Sequence, residues 1–163
     1  MWEAVVLSKL NYLYKHADEE KIDVLEYNFE SKRIKGLYCD GTIALNNKLS
    51  EAEKTCVLAE ELGHYHTSVG NILDTNNANN QKQEKIARKW AVNELVSIKD
   101  LVEAVKSGCE YISDVADYLG ITDEFLLEAI ETFKAKYGTI YQFETYIIYF
   151  NDAGYSVEEI GNI

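Results

Sequence analysis

The chemically richest stretch of this 163-residue chain is Ala59-Glu60-Glu61-Leu62-Gly63-His64-Tyr65-His66. On a helix, residues 60 and 64 stand one turn apart and leave the same face. A carboxylate and an imidazole placed this way can hold a divalent metal between them. Glu61 falls on the next position round, where its carboxylate could hold a water beside that metal. A metal held by protein needs a third ligand. Glu84 is the candidate, in Glu84-Lys85-Ile86-Ala87-Arg88-Lys89-Trp90-Ala91. The small Ala87 and Ala91 on the following turns would let this second helix pack closely on the first.

The neighbouring residues have plainer readings. On a continuing helix, His66 points nearly opposite to His64 and reads as a core or loop histidine. If the helix ended before it, it could support the site from outside or replace a ligand. His16, in His16-Ala17-Asp18-Glu19-Glu20, reads as a surface residue at a helix end. Cys56 shares a face with Ala59 and Gly63 and reads as a small buried hydrophobe.

The elements that must position these groups can be read in outline. Trp2, Val6, Leu10 and Leu13 predict an amphipathic helix over 2–17. Strand-like runs follow at 22–27, 34–38 and 42–45, with Asp40-Gly41 marking a hairpin between the last two. A small antiparallel sheet is expected. Ser50 and Glu53 form a capping box that opens a helix to about His64. The Asn-rich segment 67–80 reads as a loop, and 81–98 as the second helix. Three shorter helices over 100–136 are punctuated at Gly108 and Gly120. The runs TIYQF and TYIIYF predict a hairpin, followed from Asn151 by a loosely held tail.

The paired-ligand helix works on the mechanics of the H-E-x-x-H zinc-protease helix, with Glu60 at the first His position. With the second-helix Glu84, Ala87, Trp90 and Ala91, the chain resembles the ImmA/IrrE family of metallopeptidases. The stretch GLYCDGTIALNNKLSEAEKTCVLAEELGHYHTSVGN is similar to its phage and mobile-element branch, and KYGTIYQFETYIIYF more loosely so. The resemblance implies a zincin-like fold, His64 and Glu84 as metal ligands with Glu60 in the remaining ligand position, and Glu61 as general base. It also implies a zinc-dependent endopeptidase that cleaves or inactivates a helix-turn-helix repressor of a prophage or mobile element. A catalytically weak relative that binds and sequesters a regulator is the alternative. Glu60 in place of an imidazole gives a Glu/His/Glu set with two negative charges. Such a set makes the metal a weaker Lewis acid and relaxes selectivity toward Mn²⁺ or Mg²⁺.

Composition sets the frame. Hydrophobic residues make up 47% of the chain, enough to build a core rather than a disordered tail. No apolar run reaches the ~18 residues of a membrane helix, and the first residues lack a signal-peptide pattern. A cytoplasmic protein without membrane contact is therefore expected. Three cysteines without C-x-x-C spacing suggest neither a disulfide framework nor a zinc ribbon. The chain contains no proline. Residues 112–126 look like a helix-turn-helix, but 100–131 holds nine acidic residues against Lys106. With a net charge of −12 overall, phosphate would be repelled, and direct nucleic-acid binding is not expected. The predicted architecture is α+β: a metallopeptidase-like core over 1–98, then a helical lobe with a closing hairpin over 99–163, packed together as one domain.

Overall fold

The computed structural model describes residues 8–31, 33–67 and 77–161. The chain divides into two compact units, Met1–Ala91 and Val92–Ile163.

The first unit opens with α1, Lys9–Glu19. Ser8 caps it, its hydroxyl accepting from the Asn11 amide, and the apolar side packs Leu13 and Ala17 fully inside. The part of the predicted helix carrying Trp2 and Val6 lies outside the described residues. Strands β1 (Asp23–Tyr27), β2 (Gly36–Cys39) and β3 (Thr42–Asn46) follow. The Asp40-Gly41 hairpin is present, with φ of 46° and 79° at its two central residues. Both values are positive, as a type I′ turn requires.

The sheet corrects one expectation. Its order is β1-β3-β2, antiparallel at β2–β3 but parallel at β1–β3. The segment between β1 and β2 is long enough to step past β3, so β1 reaches its far edge running the same way. Asn46 fastens this crossing. Its side-chain amide donates to the Ile34 carbonyl at 2.9 Å and its oxygen accepts from the Lys48 amide at 3.1 Å.

Helix α2 spans Glu51–Thr67, one turn beyond the expected end at His64. Its capping box forms: the Glu53 amide donates to Ser50 Oγ at 3.2 Å and the Ser50 amide to Glu53 Oε2 at 2.9 Å. The bond from the Ser50 backbone holds the Glu53 carboxyl below its ordinary pKa. Helix α2 packs on β2, β3 and α1, with Ile43, Leu45, Leu58 and Leu62 fully buried in this unit. Helix α3 covers Asn77–Leu95. It starts within the segment expected to be loop: burial of Ala87, Ala91, Val92 and Leu95 along the helix outweighs the weak helix preference of Asn. The loop expectation for 68–76 lies outside the described residues.

The second unit contains α4 (Ile98–Lys106), α5 (Ile112–Leu119) and α6 (Asp123–Tyr137). Gly120 ends α5 in the left-handed region at φ 68°, the conformation that lets the chain turn sharply into α6. The predicted hairpin is β4 (Ile140–Phe143) with β5 (Tyr146–Asn151). The expected loose tail is instead a third strand, β6 (Gly154–Glu159), antiparallel to β5. Its Tyr155 hydroxyl donates to the Leu101 carbonyl of α4 at 2.9 Å, and burial pushes that phenol's pKa up. Among the described residues, no helix is long and apolar enough to cross a membrane.

Candidate metal centre

Helices α2 and α3 approach closely because of what they lack. A Cβ on Gly63 would lie 2.4 Å from the Ala87 carbonyl oxygen, so any larger residue there would force the helices apart. Both Gly63 and Ala87 are buried. This contact lies beside His64 on one helix and one turn from Glu84 on the other.

The result is a facing pair. His64 Nε2 lies 3.5 Å from Glu84 Oε2. That is longer than a strong charge-assisted hydrogen bond. It matches the ~3.3–3.6 Å edge between two ligands of a tetrahedral ion bound at 2.0–2.2 Å. Imidazole nitrogen and carboxylate oxygen are both ordinary zinc donors, so this pair fits a divalent metal. Glu60 is not drawn in with them: its Oε1 lies 3.4 Å from an Arg88 guanidinium nitrogen on α3. Its side chain is only partly exposed and sits one turn from His64, so completing a three-ligand set needs a rotation away from Arg88.

Glu61 stands apart in its environment. Burial pushes its carboxyl pKa above the ordinary 4.5. The nearby His64 and a backbone hydrogen bond from Tyr38 on β2 oppose that shift, while Glu60 and Glu84 add to it. The strand comes this near because Gly36 has no side chain: a Cβ there would meet Val57 Cγ1 at 2.5 Å and Glu61 Oε1 at 3.1 Å. A half-buried carboxylate with a raised pKa, beside an imidazole and an edge strand, is equipped to take up and release a proton.

Three contributors are not evident from the motif itself. Arg88 stands one turn after Glu84, a spacing that could have suggested a charge partner. Gly36 and Tyr38 lie in a strand far from the motif, and no local signal joins them to it. Two histidine expectations also change or sharpen. Helix α2 continues through His66, which therefore points away from His64 and stacks on Trp90, with centroids 4.7 Å apart. His16 is not a surface residue. It is half-buried, 5.5 Å from the His66 ring and 6.0 Å from Trp90, because α1 lies against α2. Cys56 is buried, as its face implied.

A small sheet beside a helix that presents Glu61 and His64, with a second helix presenting Glu84, is the α+β arrangement of a zincin-like peptidase domain. Residues 17–131 match the family model for peptidase M78, the IrrE N-terminal-like domain. That range is well over half of the chain and takes in every residue of the candidate centre, and the protein belongs to this ImmA/IrrE family. Among curated proteins no significant match was found. Membership makes this a metallopeptidase-type domain, which implies a divalent metal and a protein substrate.

Proposed function

We propose that the protein is a metal-dependent endopeptidase, with zinc the first candidate metal and Mn²⁺ the next. Its target is a helix-turn-helix repressor of a prophage or mobile element, met in the cytoplasm. The observation that carries this reading is the His64–Glu84 pair at 3.5 Å beside the half-buried carboxyl of Glu61. His64, Glu84 and, after leaving Arg88, Glu60 would hold the metal. When bound, it supplies Lewis acidity toward a peptide carbonyl. Glu61 does the proton work: it takes a proton from the attacking water and passes it to the leaving amide nitrogen. Its raised pKa suits both halves, since the protonated acid must persist long enough to protonate the amine.

The ion pair between Glu60 and Arg88 favours a second reading. A carboxylate engaged by a guanidinium is a poorer ligand, so the domain could bind a regulator without cutting it. Incubation with the candidate repressor, followed by intact mass, separates the two. Wild type should make one or a few cuts, and Glu61→Gln should bind but leave the repressor whole, because an amide cannot accept the water's proton. Cleavage by both, or cleavage that survives a chelator, would exclude the mechanism. Binding with no cleavage by either would favour the sequestering reading.

A further inference from the structure

We propose that His16, Glu20 and His66 form a second divalent-cation site, separate from the candidate centre, that ties α1 to the last turn of α2. One ligand atom from each of the three residues lies within 4.8 Å of the others. His16 and Glu20 stand one turn apart at the end of α1, so both side chains leave the same face. His66 arrives from α2, two residues beyond His64 and therefore ~200° round the helix from it. The two sets of ligands thus occupy different sides of α2.

The surroundings suit a cation. The His66 Nε2 atom is buried with no hydrogen-bond partner. Buried imidazole nitrogens are ordinarily paired, and a metal ion is one way to satisfy such an atom. Trp90 stacks on His66 with only 23° between the planes and fixes the ring's orientation. Glu20 is exposed, so its carboxylate has room to rotate inward by the ångström or so that coordination requires. Two neutral imidazoles and one carboxylate are a borderline-soft donor set with a single negative charge. That set favours Zn²⁺, Co²⁺ or Ni²⁺ over Mn²⁺ and Mg²⁺, the opposite bias to the carboxylate-rich Glu60/His64/Glu84 group. Bound zinc would fix α1 against the helix that carries Glu61 and His64, without taking part in their chemistry.

The test is calorimetric titration of the chelator-treated full chain with ZnCl₂, in a His64→Gln/Glu84→Gln background that removes the other donors. About one zinc per chain should still bind. Added zinc should shift the imidazole NMR resonances of His16 and His66 together. Glu20→Gln in that background should weaken binding at least ~10-fold, since loss of even an outer partner of a ligand costs ~10–100-fold. Glu20 is exposed, so this variant keeps the fold where His66→Gln could lose it, and circular dichroism checks both. No zinc site better than millimolar in the background, equal affinity after Glu20→Gln, or a shift at one histidine only would overturn the proposal. The result does not depend on whether the candidate centre is active.

Discussion

Glu61 carries opposed demands in one side chain. Its burial keeps water scarce around the carboxylate, which raises its pKa, while His64 and the Tyr38 backbone draw it down. In the unfolded chain the same group titrates near its ordinary 4.5. Between that value and the higher folded one, the folded protein binds more protons than the unfolded protein. Stability contributed by this group is therefore complete below the ordinary value and is lost as pH rises through the folded one. Replacing it with a neutral isostere removes that loss. Metal-free Glu61→Gln should accordingly be more stable than wild type at about pH 7, and the gain should vanish at about pH 4, where both side chains are neutral. Urea denaturation in the presence of a chelator measures both. An equal gain at the two pH values would show that the partly desolvated charge is not its source.

At the level of elements, the centre depends on how closely α2 and α3 approach. Gly63 against the Ala87 carbonyl sets that distance, and His64 and Glu84 ride on the two helices beside it. Gly63→Ala should cost about 1–3 kcal/mol of stability, the usual range for overpacking a tight contact. It should also weaken zinc binding, by moving His64 away from Glu84. Chemical denaturation and zinc titration of the same variant check the two effects, and a protein unchanged in both would show that the helices do not need this contact. The devices legible in the sequence were local ones. Ser50 and Glu53 cap α2 through atoms three residues apart, and Asp40-Gly41 turns the chain within two residues. Gly120 ends α5 where it stands. What the sequence concealed was decided at a distance. The parallel partner of β1 depends on where β3 lies, and β6 is a strand because β5 offers it an edge. His16 is half-buried because α2 covers it. Of the candidate centre, Glu60, Glu61, His64 and Glu84 are the residues that spacing and family resemblance propose. They do not propose the engagement of Glu60 by Arg88, since it depends on side-chain orientation across two helices.

Over the whole chain, charge is the dominant feature bearing on partners. A net −12, with nine acidic residues and one lysine over 100–131, suits encounter with a basic protein and opposes encounter with nucleic acid. Opposite charge mainly accelerates association, and salt screens it over a Debye length of ~10 Å at 0.1 M. Association with the proposed basic repressor should therefore slow several-fold as salt is raised, while dissociation changes little. Asp117 and Glu124 are exposed on α5 and α6. Asp117→Asn/Glu124→Gln should slow association at low salt and flatten its salt dependence. Stopped-flow association rates test this, and rates indifferent to both salt and substitution would remove charge from the account of partner choice.

If His64 and Glu84 hold a catalytic metal on the two helices, the number of zinc ions bound per chain depends on both. Calorimetric titration of chelator-treated wild type, His64→Ala and Glu84→Ala counts them. His64→Ala should bind one zinc fewer than wild type, and Glu84→Ala should do the same. Zinc bound in equal number and with equal affinity by wild type and both variants would contradict that metal site.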